Sequence, residues 1–80
     1  MERMIPIGFG NMVNAAGIVG IVKPEAAPVR RMVQNAKDAD RCLDATCGRK
    51  CKSVIVTETG FLVLSALLPD TIAGRVNEQQ

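Results

Sequence analysis

The fold is decided by the stretch CKSVIVTETGFLVLSALL, which occupies residues 51–68. Val, Ile, Leu and Phe dominate it, and Thr59-Gly60 in its middle is typical of a tight hairpin turn. It therefore predicts two antiparallel strands, Cys51 to Glu58 and Phe61 to Leu68. Both strands are apolar at nearly every position, whereas an antiparallel sheet usually keeps one face in water. We expect a helix to cover one face of this hairpin and another subunit to cover the other.

The first half of the chain predicts two further strands and a helix. Residues 4–9 and 17–22 have strand composition, Gly8-Phe9-Gly10 marks a turn or bulge, and the sheet is expected to resume at Met12-Val13. These glycines lack the third glycine and the following helix of a dinucleotide-binding loop, so we interpret them as a turn. A helix is expected to begin near Ala26 or Ala27 with Pro28 in its first turn. Its apolar stripe, at i, i+3, i+4 and i+7, consists of Val29, Met32, Val33 and Ala36.

The remaining segments complete an α+β pattern. Residues 42–47 are predicted to form a strand, and Gly48-Arg49-Lys50 a three-residue turn that leads into the strand beginning at Cys51. A short helix opens at Pro69-Asp70, and residues 76–80 are expected to fray. The sequence therefore predicts one α+β domain over residues 1–80, with a small antiparallel sheet and two helices.

The size of the chain favours assembly. A domain of 80 residues buries only about 60–65% of the surface that its unfolded chain exposes, so a monomer gains little stability from its core. The first residues, Met1 to Met4, do not resemble a secretory leader, and the cysteines are three, an odd number. We therefore expect a cytoplasmic protein with reduced thiols, in which association of several copies supplies the missing burial.

Composition argues against catalysis, metal binding and a membrane span. The chain has no His, the commonest general base and metal ligand, and its three thiols form a C-x4-C-x3-C pattern without a fourth ligand. Cys42, Cys47 and Cys51 are therefore interpreted as small apolar fillers, and Asp44 as a salt-bridged or turn-capping carboxylate. No enzyme activity, cofactor, metal site or small-molecule substrate is expected. The longest apolar run, Phe61 to Leu68, is too short to cross a bilayer.

Clustered basic residues are the strongest functional signal. The formal net charge is only +2, but residues 23–52 carry eight basic and four acidic groups, a net charge of +4. Arg49 and Lys50 occupy the predicted turn, Lys52 follows it, and Arg30 and Arg31 lie on the helix. The two aromatic residues, Phe9 and Phe61, offer little stacking surface for single-stranded nucleic acid. The pattern favours contacts to phosphates, repeated around a symmetric oligomer.

Five stretches, in order and correctly spaced, resemble the RemA family of extracellular matrix regulatory proteins. They cover nearly the whole chain, from about residue 5 to residue 76, and they are IGFGN at 7–11, IVKPEAAPVRRM at 21–32, LDATCGRK at 43–50, LSA at 64–66 and PDTIA at 69–73.

The resemblance implies a cytoplasmic transcriptional regulator that binds double-stranded DNA and activates matrix genes. It also implies a ring-shaped homo-oligomer, an octamer, that wraps DNA on a basic surface. The Gly-Arg-Arg turn of the family matches Arg49 and Lys50, while a further family arginine is replaced here by Gly17. The cysteines at 42, 47 and 51 also depart from the family pattern. The alternative function is a structural ring or scaffold that binds a protein partner.

Overall fold

The computed structural model describes residues 3–77, which form six strands, two α-helices and one short 3-10 turn at Ala15–Gly17. The elements follow one another as β1 (Met4–Gly8), β2 (Asn11–Asn14), β3 (Ile18–Val22), α1 (Ala27–Asp38), β4 (Cys42–Asp44), β5 (Ser53–Thr57), β6 (Leu62–Ser65) and α2 (Pro69–Asn77).

The strands form a two-stranded sheet, β1-β2, and a four-stranded sheet with the order β3-β5-β6-β4. The predicted β5-β6 hairpin is confirmed, with Val54 opposite Leu64 and Ile55 opposite Val63. β3 pairs with β5 in antiparallel orientation, whereas β4 pairs with β6 in parallel, so the larger sheet is mixed. The α+β class is confirmed.

The predicted hairpin between residues 42–47 and the strand that begins at Cys51 is wrong. β5 already has β3 on one side and β6 on the other, so it offers no free edge to β4. β4 therefore adds to the open edge of β6, with Leu43 opposite Val63. Parallel pairing needs a crossover connection, which here consists of the loop at residues 45–52, β5 and the turn before β6.

The two faces of the β5-β6 hairpin are both covered within the chain. On one face, Ala36 and Val33 of α1 pack against Val54 and Leu64, as the apolar stripe of the helix predicts. The prediction that another subunit covers the second face is wrong.

That second face belongs to a core formed by residues from distant parts of the chain. Ile55 and Val63 pack there against Ile5 and Ile7 of β1 and against Ile72 of α2. β1 and α2 therefore cover the second face of the hairpin. The apolar pattern of the hairpin does not indicate which segments of the chain provide this cover.

The helix boundaries follow from local chemistry. α1 begins at Ala27 with Pro28 in its first turn, where a missing N–H is harmless, and ends at Asp38, two residues after its core residue Ala36. α2 continues through Val76 and Asn77, and Val76 packs against the core. The expected fraying of residues 78–80 lies outside the described residues. Neither α1 nor α2 is long and apolar enough to cross a membrane.

Candidate nucleic-acid interface

Two buried serines bring three segments together at the end of β6. Ser53 and Ser65 are opposite each other in the sheet, and both have 0% exposure. The Ser65 hydroxyl donates to the Ile7 carbonyl at 2.8 Å and accepts from the Leu67 amide at 3.1 Å, while the Ser53 hydroxyl donates to the Leu67 carbonyl. Because buried hydroxyls need such partners, these bonds fix the end of β1 and the segment after β6 against β5.

The β1-β2 turn that follows Ile7 has an unusual backbone. Gly8, Phe9 and Gly10 have φ values of 110°, 54° and 80°, all in the region that favours glycine. The Asn11 side chain donates a hydrogen bond to the Gly8 carbonyl at 3.1 Å. This turn exposes 51% of Phe9, an aromatic side chain that sequence analysis assigned only to a turn. The sequence signal for this exposure is the placement of an aromatic residue between two glycines, at a turn.

The loop between β4 and β5 starts from a carboxylate cap. Asp44 accepts hydrogen bonds from the Thr46 amide at 2.9 Å and from the Thr46 hydroxyl at 2.6 Å. Both bonds stabilise the charged form, so they hold the pKa of Asp44 below its ordinary value. The sequence left open whether Asp44 forms a salt bridge or caps a turn, and these hydrogen bonds show that it caps the turn.

The rest of that loop is anchored at both ends. The Arg49 amide donates to the Thr46 carbonyl at 3.0 Å, and Cys47 and Gly48 have φ values of 56° and 80°. The Lys52 amide donates to the Ser65 carbonyl at 2.8 Å, which ties the end of the loop to the same buried serine that holds β1. The Phe9 turn and the Arg49 loop are therefore held on one end of the sheet.

Between these two segments lies a cleft of about 290 Å³, here called the cationic cleft, which is lined by Phe9, Arg49, Lys50, Lys52, Ala66 and Leu67. The Arg49 guanidinium carbon lies over the Phe9 ring, 5.5 Å from its centroid. Of the six residues that line the cationic cleft, three are cations and none is acidic. Such a cleft is suited to oxyanions, and the spacing of several cations is suited to a chain of phosphates.

The structure separates the two helix arginines from the cationic cleft. Arg30 lines a different cleft of about 280 Å³, between α1 and the sheet, together with Lys37 and Cys51. Arg31 is exposed on the same helix. Arg49, Lys50 and Lys52 are therefore the predicted residues that the fold brings together, and Arg30 and Arg31 form a second basic region.

The three cysteines are free thiols and differ in their surroundings. Cys42 and Cys51 are half-buried against the core under α1, and this burial raises the pKa of each thiol above its ordinary value. They are the apolar fillers that the sequence predicted. Cys47 is exposed in the loop, so the filler interpretation is wrong for it. Within residues 3–77, no group of Cys, Asp and Glu side chains could hold a metal ion.

Gly17 lies in the 3-10 turn before β3, away from the lining of the cationic cleft. Its carbonyl accepts a hydrogen bond from the Glu58 amide at 2.9 Å. A Cβ built on it meets nothing within 4 Å, and its φ lies outside the left-handed region. The position can therefore hold an arginine without backbone strain.

Comparison with known proteins places these features in a family. The family model described as "RemA-like: Extracellular matrix regulatory protein A-like" matches residues 4–76. A protein of Lachnoclostridium phytofermentans is 66% identical over 80 residues, covering 100% of this chain and 88% of the relative. One from Alkaliphilus metalliredigens is 47% identical over 77 residues, covering 96% and 83%. Both are named "Putative regulatory protein".

Proposed function

The chain belongs to the RemA-like family of regulatory proteins, and on that premise we propose that it binds double-stranded DNA and regulates transcription of extracellular matrix genes by activating them. The protein acts without catalysis and without a cofactor. Its binding element is the cationic cleft, in which Arg49, Lys50 and Lys52 meet backbone phosphates.

The observation that carries this proposal is the convergence of three cations on one cleft with no acidic residue in its lining. Duplex DNA carries about one negative charge per 1.7 Å of helix axis, and each neutralised phosphate releases condensed counterions. Arg49 suits this role because its guanidinium presents planar, fork-shaped donors to phosphate oxygens. Phosphate contacts position the protein on the duplex, whereas sequence preference comes from the shape and bendability of the DNA.

The second part of the proposal is a ring-shaped homo-oligomer, an octamer, that repeats the cationic cleft along the DNA. Both faces of the β5-β6 hairpin are filled within the chain, so assembly must use other surfaces. The two edge strands of that sheet, β3 and β4, lie at its opposite sides. Val19 on β3 and Leu43 on β4 are 68% and 56% exposed. Contact between two different surfaces is the type of interface that closes into a ring.

A gel shift with the unmodified protein at two salt concentrations tests DNA binding. We expect a shifted duplex at low salt and a marked loss of the shift at higher salt, because counterion release makes phosphate binding salt-dependent. Light scattering tests the assembly, which should have a discrete mass several times that of the 8.6 kDa chain. A folded monomer at micromolar concentration would contradict the ring.

The alternative function, a ring or scaffold that binds a protein partner, is favoured by a specific surface. Met12, Leu43 and Phe61 line an exposed groove next to Gly17, the position where the family arginine is missing. A scaffold of this kind leaves DNA unshifted even at low salt, so the same gel shift separates the two functions.

A further inference from the structure

Phe9 has an exposed position that core packing does not explain. It lies at the tip of the β1-β2 turn with 51% of its surface exposed, and its backbone has a φ of 54°, which costs free energy for a bulky residue. Strained backbone at a defined position is often associated with function. The glycines on either side, with φ values of 110° and 80°, allow the chain to reverse so sharply that the ring projects from the sheet.

Within residues 3–77, the Phe9 ring has one cation–π contact, with the Arg49 guanidinium, whose central carbon lies 5.5 Å from the ring centroid. Within residues 3–77, the Arg49 side chain makes no hydrogen bond or ion pair, so its five N–H donors are available to a ligand. A guanidinium that lies over an aromatic face keeps its donors at its edge, where a phosphate can accept them.

The turn that carries the Phe9 ring is held by two side-chain hydrogen bonds. The Ser65 hydroxyl holds the Ile7 carbonyl at 2.8 Å, and the Asn11 side chain closes the turn on the Gly8 carbonyl at 3.1 Å. Arg49, in contrast, has a long side chain on an exposed loop. Ordering such a side chain on binding costs conformational entropy, and a preformed contact reduces that cost.

We propose that Phe9 is a positioning residue for DNA binding, which holds the Arg49 guanidinium over its ring so that the donors of Arg49 meet a backbone phosphate. This inference rests on the function proposed above. It adds the Gly8-Phe9-Gly10 turn to the interface as the support of Arg49, and it explains why an aromatic side chain is exposed beside three cations.

The test is a double-mutant cycle between Phe9→Leu and Arg49→Ala, with DNA affinity measured by fluorescence anisotropy at low salt, where both variants still bind. An exposed cation–π contact corresponds to roughly a two- to fivefold change in affinity, which multiplies over the subunits that touch the duplex. We expect Phe9→Leu to weaken binding by this factor in the parent and to have no effect in Arg49→Ala. Its salt dependence should equal that of the parent, because no charge is lost.

Three further variants serve as controls. Phe9→Tyr keeps the ring and should bind as the parent does. Phe61→Leu removes the other aromatic ring, which does not line the cationic cleft, and should leave affinity unchanged. Phe9→Asn removes the ring with a residue that tolerates positive φ, and it replaces Phe9→Leu if that variant does not fold.

Two results would overturn the inference. If the ring-deleting variant weakens binding equally in both backgrounds, the ring touches DNA itself and does not act through Arg49. If the ring-deleting variant binds DNA as tightly as the parent, the Phe9 ring does not position Arg49 for DNA binding. Failure of the proposed function looks different, since the parent itself would then leave the duplex unbound, or Arg49→Ala would bind DNA as tightly as the parent.

Discussion

Replacement of both Arg49 and Lys50 by Ala should abolish most DNA binding while leaving the fold intact. Both side chains are exposed on the loop before β5, and neither belongs to the core. The hydrogen bond that Arg49 makes in the loop uses its backbone amide, at 3.0 Å from the Thr46 carbonyl, and alanine keeps that bond. The double substitution therefore removes charge without removing packing.

The expected loss of stability follows from the one side-chain contact that the structure gives these residues. The Arg49 guanidinium lies over Phe9, and an exposed cation–π contact contributes about 0.5–1 kcal/mol. For a domain of this size, 1 kcal/mol corresponds to a shift of about 4–8 °C in melting temperature. The melting temperature of the double variant should fall by no more than that, and its oligomeric mass should equal that of the parent.

The effect on DNA binding should be much larger, and its size can be derived from the salt dependence. Each phosphate contact contributes about 0.9 to the slope of log affinity against log salt concentration. Two lost contacts lower the slope by about 1.8 for every subunit that touches the duplex. The assay is fluorescence anisotropy with a labelled duplex over a series of salt concentrations, with circular dichroism melting on the same samples.

A matched control is Arg30→Ala/Arg31→Ala, which removes the same charge from α1. We expect it to weaken DNA binding less, because Arg30 lines a different cleft. Lys52→Ala should also have a smaller effect than the double substitution, since it removes a single charge. The reasoning is refuted if Arg49→Ala/Lys50→Ala binds with the affinity and salt slope of the parent. In that case Arg30 and Arg31 become the next candidates.

Three further predictions follow from single positions. Gly17→Arg should tighten DNA binding and steepen its salt slope, since the position has open space and an ordinary backbone, and Gly17→Ala is the uncharged control. Val63→Asp should unfold the chain or strongly lower its midpoint of urea unfolding, because Val63 is 5% exposed and an unpaired carboxylate there costs about 3 kcal/mol or more. Val19→Asp, at a 68% exposed site, is the control and should stay folded. Asp44→Ala should lower the melting temperature at neutral pH, while Asp44→Asn, whose amide oxygen can accept the same bonds from Thr46, should lower it less. The folded-state pKa of Asp44 is depressed, so its stabilisation is present above the ordinary aspartate pKa and is lost as the pH falls through the lowered value; the difference between parent and Asp44→Ala should shrink in acid, and a constant difference would contradict the assignment.

The sequence by itself determined the features that depend on neighbouring residues. The period of Val33 and Ala36 and the position of Pro28 specify α1, because helix periodicity and first-turn chemistry act within a few residues. The β5-β6 hairpin follows in the same way from two apolar runs around Thr59-Gly60. The concentration of positive charge between residues 23 and 52 was also visible without any structure.

Only the tertiary structure decided which distant segments meet. β4 pairs with β6 because β5 already has a strand on each side, with β3 on one and β6 on the other. The residues of β4 alone do not indicate which neighbouring strand has a free edge. The second face of the hairpin is covered by β1 and α2, segments with 60 residues of chain between them, so the apolar pattern of the hairpin could not identify its cover. Phe9 and Arg49 are 40 positions apart and come together because buried Ser65 binds the end of β1 and the end of the Arg49 loop. Such contacts depend on the geometry of the whole sheet, which local propensity does not contain.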